Sequence, residues 1–165
     1  MHPSTPDRHL SERVTDKEFL SAFENRTLPF EEWTHRAHVR VAFLYASQLD
    51  LHSSIGRMRS SIEAYNKATD APEAIDRGYH ETITRAFMIL IFAANLQTGP
   101  HGSSDEFCDA HPELLTKLAL RKFYSRERIM TMQAKTEFVE PDLCPLPNVV
   151  VRSRLSWEQA VGGEK

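Results

Sequence analysis

Apolar residues along this chain recur at spacings of three and four, the period of a helix with one buried face. Thr15-Asp16-Lys17-Glu18 has capping-box spacing and predicts a first helix, carrying Phe19, Leu20 and Phe23 to about Asn25. Leu28-Pro29 breaks the chain there. A second helix starts at Pro29 or at Thr34 and has its body over 39–49. Ser53 or Ser54 is the expected cap of a third, with Ile55, Met58, Ile62 and Tyr65 in one stripe. Residues 72–78 read as a connection with room for one helical turn. The fourth helix, 79–96, is apolar nearly all round and is the expected centre. Ser103 caps a short helix through Cys108, and Pro112 opens another through Leu120, with Leu114, Leu115 and Leu118 turned inward. Ser125 caps a last helix bearing Ile129, Met132 and Phe138.

No alternating strand pattern of useful length competes with this periodicity. The prediction is all-α: one helical bundle of five to seven helices over 15–147, with 1–14 and 148–165 as peripheral tails. The prolines of 141–147 exclude helix and central strand there and predict an extended arm laid over the bundle. Val149-Val150-Val151 is long enough for a short strand.

Composition narrows the function classes. The chain has 165 residues, 41% hydrophobic and 26% charged, enough for a single core. Its net charge of −3 gives no reason to expect nucleic acid. Its longest apolar run, 86–94, is too short to span a bilayer, so no membrane role is expected. The N-terminus lacks the pattern of a signal peptide. Cys108 and Cys144 have no metal or redox spacing and fit a reducing, cytoplasmic setting. No Gly-rich phosphate loop, G-x-S-x-G elbow or H-E-x-x-H motif occurs.

Candidate chemistry lies at the heads of two predicted core helices. His35 and His38 in Trp33-Thr34-His35-Arg36-Ala37-His38 are three apart and share a helix face. His80 and Glu81 in Tyr79-His80-Glu81-Thr82 head the fourth helix. If the two heads meet, three imidazoles and a carboxylate form a metal or acid–base site. Expected metal ligands are His35, His38, His80 and Glu81, for zinc, iron or manganese with one position open. Glu81 and His80 are the expected acid–base pair, with Arg85 gripping an anionic substrate. Trp33, Tyr45, Tyr65, Tyr79 and Thr84 are the expected pocket lining. Asp105, Asp109 and His111 are weaker candidates, and His2, His9, His52 and His101 are assigned no role.

Each feature also has a structural reading. Glu81 suits a helix N-terminus and forms an i,i+4 pair with Arg85. A lone buried imidazole is ordinarily a hydrogen-bonded core residue. Two functions therefore stand: a small enzyme acting on a small molecule by hydrolysis or oxidation, or a non-catalytic ligand-binding or oligomerisation module. Apolar stripes on the third helix and around Leu114 suit a symmetric homodimer.

The runs at 33–38, 79–84, 123–127 and 138–143 resemble a group of small uncharacterised bacterial and fungal helical proteins. That resemblance implies one free-standing domain and supplies no activity. The order of histidine, His-Glu doublet and later aspartate also resembles helical metal-dependent phosphohydrolases of the HD type, whose doublet is His-Asp. There His35 or His38, then His80 and Glu81, then Asp105 or Asp109 would be the counterparts.

Overall fold

The computed structural model describes residues 14–149. Where the chain offers a short polar side chain before an apolar run, a helix begins. Thr15 starts α1 (Asp16–Glu24) with both halves of a capping box: its hydroxyl accepts from the Glu18 N–H, and its own N–H donates to the Glu18 carboxylate. Phe19 and Phe23 are the buried face of α1. A 3-10 turn, Phe30–Glu32, follows Pro29. Thr34 then caps α2 (His35–Gln48), which settles the two possible starts in favour of Thr34.

The helix α3 (Leu51–Ala68) is capped by Asp50, not by Ser53 or Ser54. Ser53 donates to the Asp50 carboxylate, and the buried Ser54 hydroxyl donates to the Tyr45 carbonyl of α2. The carboxylate outcompetes the hydroxyls because it accepts more strongly. The expected stripe of Ile55, Met58, Ile62 and Tyr65 is buried as read. Residues 71–80 form no helical turn. They fold into a tight loop in which Ala74 and Arg77 exchange backbone hydrogen bonds. Gly78 takes a φ of +79° there, which favours glycine.

The helix α4 (Glu81–Thr98) is central, but it shares that place with α2. From Val39 to Tyr45 every residue of α2 is buried, Arg40 included. Among the described residues α5 (Ser104–Ala110) follows with Ser103 as its cap, then two 3-10 segments, Pro112–Leu115 and Lys117–Lys122. These replace the expected single helix from Pro112. Leu114 is buried and Leu115 partly so, whereas Leu118 is 54% exposed, because 3-10 geometry changes which positions share a face. Two short helices, α6 (Arg126–Ile129) and α7 (Met132–Thr136), stand where one was expected, capped by Ser125 and Thr131. Met132 is exposed.

The arm after Val139 is extended. Its Leu143 N–H donates to the Phe123 carbonyl, and Asp142 accepts from the Ser125 N–H and hydroxyl. Cys144 and Leu146 pack on the core. Among the described residues there is no strand. Val149 is in none, and Val150 and Val151 lie outside the described residues. Among the described residues no helix is long and apolar enough to cross a membrane.

One buried polar network crosses the helices. The Arg40 guanidinium lies 4.0 Å over the Phe19 ring and donates to the Ser104 hydroxyl and to Asp16. Burial pushes the Asp16 carboxyl up, but the bonds from Ser104 and Arg40 outweigh it and hold the carboxyl below its usual range. This network joins α1, α2 and α5.

Candidate functional site at the heads of α2 and α4

At the head of α4, His80 is itself the helix cap. Its Nδ1 accepts the Ile83 N–H at 3.2 Å, and its Nε2–H donates to the Ile129 carbonyl at 3.0 Å. Both ring nitrogens are therefore occupied, as a neutral Nε2–H tautomer requires. Desolvation lowers the His80 pKa, and nearby Lys135 acts in the same direction. Glu81, only 6% exposed, accepts from both Arg59 nitrogens that face it and from the Tyr79 hydroxyl. Burial acts to raise its pKa; the Arg59 and Tyr79 bonds outweigh that and lower it. Tyr79 is pushed the other way, up, by burial and by the carboxylate it serves.

The head of α2 is built differently. His35 donates Nε2–H to the Leu114 carbonyl at 2.9 Å, and its ring sits edge-on to Phe87 at 5.1 Å. His38 donates Nδ1–H to the Thr34 carbonyl at 2.7 Å and stacks on Trp33 at 3.8 Å between centroids. Trp33 stacks in turn on Phe23 at 4.2 Å and tilts against Tyr65. Among the described residues nothing hydrogen-bonds Nε2 of the half-buried His38 or Nδ1 of His35. Desolvation brings the His38 pKa down to about 4, against the Thr34 bond, with help from His35 and Lys117. His35 is lowered by the same cause, with Lys117 again contributing.

The four expected ligands thus lie at two helix heads, the three histidines each on a backbone carbonyl and Glu81 on Arg59 and Tyr79. Among the described residues no three His, Cys, Asp or Glu side chains form a group able to hold a metal ion. Among the pocket candidates, Trp33 stacks on His38, and Tyr65 meets Trp33 rather than the imidazole. The Tyr65 hydroxyl donates to the Leu28 carbonyl. Tyr45 is buried and bonded to Glu24 and Ser61, tying α2 to α1 and α3. Tyr79 belongs to the Glu81 cluster. Thr84 meets His80 through its backbone N–H, which donates to the His80 carbonyl. The Arg85 guanidinium lies 4.4 Å over Phe138, and its buried Nε has no hydrogen-bond partner. It acts on Glu81 through charge, without a direct bond.

The weaker candidates also resolve. Asp105 and Asp109 pair with Arg36 at 2.9 and 3.0 Å. Burial pushes the Cys108 thiol up to about 11, so it stays protonated and unreactive at neutral pH.

Sequence reading missed Arg59 and Lys135. Arg59 falls four after Ile55 and three before Ile62, on the buried stripe of α3, and that spacing was the available signal. Lys135 donates to the Arg77 and Tyr79 carbonyls and pairs with Glu73. Nothing in the local sequence marks it.

Comparison with family models, with curated proteins and with solved structures finds no match to this chain. Its site is read from its own geometry.

Proposed function

We propose that this helical domain binds a small molecule at the head of α2 and acts on it through His38, whose Nε2 accepts a hydrogen bond or proton from the bound molecule. The observation that carries the proposal is the Nε2 lone pair of His38, which has no partner among the described residues. Its other nitrogen is fixed by the Thr34 carbonyl and its face by Trp33. Fixing one imidazole nitrogen on a backbone carbonyl selects the tautomer and aims the other nitrogen. A ring neutral down to about pH 4 accepts without first losing a proton. Lys117, close enough to influence both His35 and His38, favours a molecule with an anionic group beside its donor. The same lone pair suits a divalent metal such as zinc, iron or manganese, with water completing the shell and His35, close enough to influence His38, one turn earlier on the helix.

Parallel ligand screens by thermal shift on the parent and on His38→Gln test the proposal, with circular dichroism as the check on folding. Compounds or divalent ions that stabilise the parent and lose that effect in His38→Gln support it. A screen in which every stabilising compound acts equally on both proteins refutes it.

A non-catalytic module is the second reading. Its support is the α4 head, where His80 and Glu81 have all their expected partners within the fold. In that case the protein's function would lie in a surface contact, and His38→Gln would leave partner binding or self-association unchanged.

A further inference from the structure

Away from both helix heads, two histidines converge on one oxygen. His111 Nε2 lies 2.8 Å from the Thr98 hydroxyl, and His101 Nε2 lies 3.0 Å from the same atom. The other nitrogen of His111, Nδ1, faces the Glu113 carboxylate at 2.9 Å. Both rings pack on the fully buried Phe107, at 5.3 and 4.7 Å between centroids. Thr98 and Glu113 are exposed, so the point of convergence opens to solvent.

We propose that His101 and His111 form a binding site for an imidazole-preferring divalent cation of the zinc class, with the Thr98 oxygen or water as further ligands. Three observations carry this. First, a carboxylate on Nδ1, with Nε2 turned toward the meeting point, is the support that metal-binding histidines ordinarily have.

Second, the two rings aim their Nε2 atoms at one point, 2.8 and 3.0 Å from the single Thr98 oxygen, so both imidazoles can serve one ion there.

Third, the site lies where two helices end. Thr98 is the last residue of α4, and His111 is the C-cap of α5. The carbonyl ends of helices favour positive charge. The same field argues against Thr98 as a nucleophile assisted by His111 and Glu113, because it would oppose the oxyanion formed on attack. Two imidazoles and a hydroxyl select borderline metals over magnesium, which prefers a shell of oxygens.

Isothermal titration of Zn²⁺ into the full chain, prepared without a His-tag at neutral pH, tests the site. The expected result is one equivalent bound, no uptake of Mg²⁺, and loss of binding in His101→Ala, a half-buried loop position chosen to leave the core intact. Glu113→Gln should weaken binding about 10–100-fold. His52→Ala should leave it unchanged. Absence of Zn²⁺ binding by the folded parent overturns the site. So does binding that survives His101→Ala, or binding that is lost in His38→Ala instead, which would assign the ion to the head of α2.

Discussion

The heads of α2 and α4 look alike in sequence, each placing histidine at the mouth of a buried helix, and they differ in one countable respect. His80 has both ring nitrogens bonded to the backbone, and Glu81 is held by Arg59 and Tyr79. His38 and His35 each have one nitrogen bonded and one without a partner among the described residues. A histidine whose two nitrogens are both held by the backbone organises the fold. One with a single anchor is oriented and still able to bind. The difference between architecture and chemistry therefore lies in the second nitrogen, and the residue type alone does not reveal it.

Substitutions should separate the two heads by their cost. Glu81→Ala strands the Arg59 guanidinium and the Tyr79 hydroxyl. Because Arg59 can turn toward water, the loss should be about 2–3 kcal/mol. Denaturant unfolding measures it, and a cost below the error of that experiment would undo the structural assignment of Glu81. His80→Ala removes a helix cap and a carbonyl bond and should cost about 1–2 kcal/mol by the same measurement.

His38→Gln should be milder, under about 1 kcal/mol, since one bond and one stacking contact are at stake. If His38→Gln proved costlier than His80→Ala, the contrast between the heads would be reversed. The last effect should appear in the pH dependence. His38 is lowered in the fold to about 4 from an ordinary value near 6.5, so the unfolded chain binds its proton first. Stability from this group is complete above about pH 6.5 and declines as the pH falls toward 4. His35 and His80 act with the same sign. Unfolding free energies between pH 7 and 4 should fall less steeply in His38→Gln than in the parent, and identical slopes would contradict the lowered value.

Much of the fold was legible because it depends on local chemistry. Thr15, Thr34, Ser103 and Ser125 cap the helices expected of them, since a hydroxyl one residue before an apolar run satisfies free N–H groups whatever lies beyond. The stripe of α3 held for a similar reason. The misses share a different origin. Asp50 displaced Ser53 and Ser54 because its carboxylate, a few residues upstream, accepts more strongly than a hydroxyl. The 3-10 segments after Pro112 follow packing that no short window contains.

The candidate site was legible as residue types and not as partnerships. The Leu114 and Ile129 carbonyls that anchor His35 and His80 are backbone groups 79 and 49 positions away. A backbone carbonyl carries no sequence signal. His101, read as a loop residue, gains its interest only from the ring of His111 across the turn.

The clamp on α4 bears on the order in which this protein is made. Lys135 reaches back to the Arg77 and Tyr79 carbonyls, and Thr82 exchanges hydrogen bonds with Glu137 and Val139. These pairs span 55 to 58 positions. On a ribosome α4 therefore leaves the exit tunnel well before the residues that fasten its first turn. Until they arrive, the nascent chain carries its most apolar helix with an unfastened end, the period in which a chaperone has most to shield. A stalled chain released before residue 135 should remain chaperone-bound, and one released just after the arm should go free.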